Sequence, residues 1–69
     1  MQGGVSVTLY ENIKHYAKMR GTSISQLERD LNWTKGSIGK WDVNRPSVDK
    51  AVAIAQKLDV TVEDIYGQA

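Results

Sequence analysis

Ser23-Ile24-Ser25-Gln26-Leu27-Glu28-Arg29-Asp30-Leu31-Asn32-Trp33-Thr34-Lys35-Gly36-Ser37-Ile38-Gly39-Lys40-Trp41-Asp42 is the stretch on which the fold turns. Ser23 suits a helix N-cap, and Gln26 three residues on completes the S-x-x-Q form of a capping box. Ile24, Leu27 and Leu31 then share one helical face. Asn32 predicts the stop, because it tolerates the left-handed backbone that other side chains avoid. Thr34 is placed to cap a further helix from Lys35 to about Asp42. Two helices joined by so short a turn must cross steeply. At about 100° per residue, Ile38 and Trp41 fall on one side of that second helix and Gly36, Gly39 and Lys40 on the other. Lys35 lies at its flank and Ser37 nearer the core edge. The pattern is a half-buried helix leaning on its predecessor with one face open.

Outward from this stretch the same signals recur. Residues 1–7 are non-periodic and glycine-bearing, a flexible N-terminal arm. Thr8 with Glu11 opens a helix whose apolar stripe is Leu9, Ile13, Tyr16 and Ala17, and Gly21 ends it. On the other side, Arg45-Pro46-Ser47 breaks the chain and Ser47 caps a helix carrying Ala51, Ile54, Ala55 and Leu58. Thr61 with Asp64 makes a last capping box, Val60 and Ile65 stand where a hydrophobic staple would join, and Gly67 closes it. The expectation is all-α, five short helices in a single domain over residues 8–67.

Composition narrows what such a domain does. A 69-residue chain buries only about 60% of its unfolded surface, leaving no room for a deep enclosed cavity, which weighs against an enzyme. Cysteine is absent and His15 is the only histidine, so neither a disulfide scaffold nor a zinc site of His and Cys can be assembled. No apolar run approaches the roughly 20 residues of a membrane helix, and the first residues lack the form of a secretory signal. The expected compartment is the cytoplasm. Net charge is only +1, but its distribution is uneven. Lys14, Lys18, Arg20, Arg29, Lys35, Lys40, Arg45 and Lys50 precede the last third, where Lys57 faces Asp59, Glu63 and Asp64. A basic end and an acidic end suit one face turned to phosphate. Trp33 and Trp41 fall at apolar positions beside the turn, where core packing is the expected role.

Taken together, Ser23–Leu27, Leu31–Lys35, Ser37–Asp42 and Ile54–Val60 resemble the DNA-binding domain of lambda-repressor and Cro-type regulators, the XRE family of helix-turn-helix proteins. The resemblance spans nearly the whole chain after the arm. It implies that the helix from Lys35 lies in the major groove while the one before it crosses the phosphate backbone. It further implies base contacts from Lys35, Gly36, Ser37 and Lys40, and phosphate contacts from Ser23, Asn44 and Arg45. Lysine at positions 35 and 40 suits guanine O6 or N7, or a phosphate oxygen; Ser23 has the plainer alternative of a simple cap. The implied partner is double-stranded DNA, a palindromic operator read by a repressor. The expectation is a weak homodimer that forms on DNA, with Val62 and Tyr66 as candidate contacts, and no metal, cofactor or membrane partner is expected.

Three departures from the family pattern carry expectations of their own. Glu28 replaces the usual alanine near the turn, so its stem should lie outward. Ile24 replaces a phosphate-touching glutamine. Ala17 replaces an arginine that pairs with the acid at Asp42, leaving Asp42 in need of another partner. Gly36 and Gly39 each cost a helix roughly 1 kcal/mol. Close approach to DNA, a tight helix–helix contact and a locally irregular turn all account for them. The rival reading of the whole chain is an antitoxin-like protein-interaction module using the same helices.

Overall fold

Each α-helix of this chain opens on a hydroxyl. In a computed structural model that describes residues 8–67, the helices are α1 (Leu9–Met19), α2 (Ile24–Asp30), α3 (Val48–Leu58) and α4 (Val62–Tyr66). Their N-caps are Thr8, Ser23, Ser47 and Thr61, whose side chains accept from the N–H groups of Glu11, Gln26, Lys50 and Asp64. Each such bond satisfies a donor that the helix itself leaves unpaired. Among the described residues the reciprocal half of the capping box forms at α4 alone, where Asp64 accepts from the Thr61 N–H at 3.1 Å. Gln26 turns the other way and donates to Asp30 at 2.8 Å. The arm expected over residues 1–7 lies outside the described residues.

The C-termini share one device. After α1, Thr22 N–H donates to the Ala17 carbonyl and Gly21 N–H to that of Lys18, the Schellman closure, with Gly21 at φ +75°. The same pair of bonds follows α2, with Asn32 at φ +62°, and α3, with Asp59 at φ +57°. Asn32 ends its helix in the conformation expected of it. Asp59 does so with no glycine to announce it.

The described chain is all-helical, but the count of five is corrected to four α-helices. The helix expected from Lys35 to Asp42 is a single 3₁₀ turn, Ile38–Lys40, inside a run of turns. Thr34 caps nothing; its carbonyl accepts from Ser37 N–H at 3.1 Å, and Lys40, Trp41 and Val43 continue with bonds to the third residue before. Gly36 stands at φ +88°, a left-handed residue inside the expected first turn, where a right-handed helix cannot run. A remainder this short cannot recover the cost of nucleating an α-helix.

Despite that, the inward face is the expected one. Ile38 and Trp41 join Leu27, with Ile13 and Ala17 of α1, Ala51, Ile54 and Leu58 of α3 and Ile65 of α4, in one core cluster. Among the described residues, no helix is long and apolar enough to cross a membrane.

Ile38 is 0% exposed, so Ile38→Ala should cost about 2–5 kcal/mol. In a domain this small that lowers the thermal midpoint by roughly 10 °C or more. Thermal unfolding by circular dichroism checks it, and an unchanged midpoint would contradict the packing described.

Candidate nucleic-acid interface

The turns from Thr34 to Trp41, the loop Asn44–Ser47 and the first turn of α3 enclose an open groove of about 320 Å³. Five of the seven residues singled out in the sequence line it: Lys35, Ser37, Lys40, Asn44 and Arg45. Thr34, Trp41, Pro46, Ser47 and Lys50 complete the lining, which contains four cations and no carboxylate. Its donors are lysine, guanidinium, hydroxyl and amide groups. Such a set suits a polyanion.

Two of the cations rest on aromatic rings. Lys50 Nζ lies 5.7 Å from the Trp33 ring centre, and Arg45 Cζ lies 5.8 Å from that of Tyr66. A lysine in the first turn of a helix opposes the helix macrodipole, and the ring face supplies a local compensation. Lys50 was not among the residues singled out for contact. Its spacing of three from the Ser47 cap was the available signal, but only the path of the chain through the bend at Asn44 brings it to the groove. The ion pairs among the described residues, Arg20–Asp59 at 3.9 Å and Lys57–Asp30 at 3.8 Å, lie elsewhere.

Gly36 and Ser23 do not join the groove lining. Ser23 borders a separate hollow with Tyr10, Lys14, Lys18 and Ile24, and its hydroxyl is engaged as the α2 cap. Gly36 is exposed, and a Cβ built there meets nothing within 4 Å. The same open space surrounds Gly39. A tight helix–helix contact therefore explains neither glycine, whereas the irregular turn explains Gly36. Ser37 Oγ is buried with no hydrogen-bond partner among the described residues.

Glu28 overturns its expectation. Its residue is 3% exposed rather than outward. One carboxylate oxygen accepts from Gly36 N–H at 2.9 Å and the other from Ile38 N–H at 3.0 Å. An α-helix from Lys35 would have paired the Ile38 N–H with the Thr34 carbonyl; without it that donor, like the Gly36 N–H that any helix start leaves unpaired, is open to a side chain. Asp42, deprived of an arginine at position 17, accepts instead from the Tyr10 N–H at 3.1 Å, in the first turn of α1. Trp41 is buried at 5% exposure, and Trp33 is half-buried with its ring centre 5.7 Å away. Both pack as expected of core residues.

Compared with family models, with curated proteins and with solved structures, the chain matches none of them.

The two glycines should respond oppositely to alanine. Gly36→Ala forces a side chain into the left-handed region at a cost of about 1–2 kcal/mol, lowering the thermal midpoint. Gly39 carries no positive φ, so Gly39→Ala should leave stability unchanged or raise it by up to about 1 kcal/mol. Paired melts of the two variants read the difference.

Proposed function

We propose that this chain binds double-stranded DNA sequence-specifically, as a helix-turn-helix domain of the lambda-repressor type acting as a cytoplasmic transcriptional repressor. The observation that carries the reading is the groove, which gathers Lys35, Lys40, Arg45 and Lys50 with no acid in its lining. A duplex presents a dense array of phosphates, and cations left without carboxylate partners release its counterions on binding. The segment offered to the major groove is then Lys35–Asn44, with Ile38 and Trp41 as its inner side and Gly39 and Lys40 outward.

Roles divide by chemistry. Lys35 stands before the 3₁₀ turn and is the base reader of this proposal, with guanine as its natural acceptor. Lys40, Arg45 and Lys50 meet phosphates, and Asn44 adds an uncharged donor, whereas the buried Ser37 hydroxyl faces away from the duplex. The open space over Gly39 lets the backbone come close to the duplex. Two domains read a palindromic operator and pair on it. Val62 and Tyr66 are half-buried against the core, so little apolar area remains to hold a dimer in free solution.

Salt dependence tests the class of partner. With three phosphates neutralised per domain, the logarithm of the binding constant should fall with log salt at a slope of about −2.7. Arg45→Ala should weaken all sequences alike and flatten that slope by about 0.9. A wild-type response that is flat in salt would point to the protein-interaction reading instead.

Specificity tests the base reader. On DNA selected by the wild type from a random pool, Lys35→Ala should cost roughly 1–3 kcal/mol and relax preference at one base pair per half-site. A phosphate contact at Lys35 would lower selected and random DNA together, so the ratio of the two affinities at fixed salt is the measurement.

A further inference from the structure

Among the described residues Glu28 is the buried charged side chain, and both of its oxygens are spent on the segment that carries the groove cations. The two amides it holds, of Gly36 and Ile38, bracket Ser37 and lie between Lys35 and Lys40. The segment's other restraints, the 3₁₀-type bonds from Ser37 onward and the core packing of Ile38 and Trp41, leave Gly36 itself to this carboxylate. Gly36 is exposed with open space around it, and glycine takes several backbone conformations at similar cost. A single 3₁₀ turn lacks the repeated hydrogen bonds that steady a longer helix. A carboxylate anchored on α2 therefore selects one geometry from those open to the segment.

We infer that Glu28 is a positioning residue for base recognition. By clamping the N–H groups of Gly36 and Ile38 it sets the direction in which Lys35 leaves the chain, and with it the sequence preference. The inference rests on the DNA-binding reading above. Its logic lies in the unequal tolerance of the two kinds of contact. A hydrogen bond to a base edge needs the donor held to within about 0.5 Å, whereas a lysine meeting phosphate acts as a point charge and accepts displacement. Loosening the clamp should thus remove preference for the selected sequence while sparing affinity for random DNA. A purely structural role would lower both together, through the folded fraction.

Glu28→Gln isolates the effect, because glutamine keeps the shape and one acceptor oxygen but turns an NH₂ group toward the second amide. The full chain and this variant are compared by amide hydrogen exchange at Gly36 and Ile38. Both are also titrated with random-sequence DNA and with DNA selected by the wild type, at one salt concentration. One of the two amides should exchange roughly ten- to a hundredfold faster. The selected-to-random affinity ratio should fall roughly tenfold, with random-DNA affinity held. Unchanged protection of both amides overturns the clamp, and faster exchange with an unchanged ratio overturns its role in recognition. A wild type without sequence preference overturns the DNA reading and this inference together, and is seen before any variant is made. Should Glu28→Gln not fold, a synthetic chain with glycolic acid in place of Gly36 removes that donor and leaves Glu28 intact. The same fall in ratio is expected of it, and an unchanged ratio counts against the inference.

Discussion

Two hydrogen bonds accepted by one buried carboxylate hold the centre of this domain. A carboxyl group moved out of water without partners costs several kcal/mol, and a buried N–H of an irregular turn adds about 1–3 kcal/mol when left unpaired. Glu28, Gly36 and Ile38 resolve both demands at once. The arrangement is tied to the core on each side, since Leu27 precedes Glu28 on α2 and Ile38 follows the clamp, both within the same apolar cluster. Packing of Ile38 and hydrogen bonding of its amide therefore support each other. Trp41, three residues on, inherits its place from them.

The rest of the chain compensates for short elements. Helices of 5 to 11 residues are too brief to persist alone, so their ends must be finished by something. Hydroxyl caps and left-handed closures supply the local part. Side chains distant in sequence supply the remainder, and α1 is where they meet. Its Tyr10 N–H is satisfied by Asp42, its Asn12 donates to the Ile65 carbonyl, and Arg20, just past its end, donates to the carbonyls of Leu58 and Asp59. A guanidinium at the C-terminus of α3 also complements the negative end of that helix. In this way α1 is pinned to the ends of α3 and α4 and to the loop beyond the 3₁₀ turn.

Charge is sorted by the same packing. Arg20 and Lys57 face carboxylates, whereas Lys50 and Arg45 rest on the rings of Trp33 and Tyr66. A ring face orients a cation without neutralising it. The small net charge of +1 thus conceals a groove whose positive charge is uncompensated by any acid in its lining.

Much of this was legible in the residues alone. The caps at Thr8, Ser23, Ser47 and Thr61, the stops at Gly21, Asn32 and Gly67, and the apolar stripes of α1 and α3 all follow from bonds and periodicities spanning a few residues. The grouping of Lys35, Ser37, Lys40, Asn44 and Arg45 along one short segment was visible too. What the chain could not announce locally was settled by contacts between distant positions. Glu28 reaches residues 8 and 10 places on, Asp42 reaches back 32 to Tyr10, and the path of the chain beyond the bend at Asn44 carries Lys50 into the groove. Whether Lys35–Asp42 becomes an α-helix is of the same kind. Its glycines leave the local preference weak, so an acceptor from α2 decides the backbone, because a weak local preference yields to a buried hydrogen bond that would otherwise go unmade.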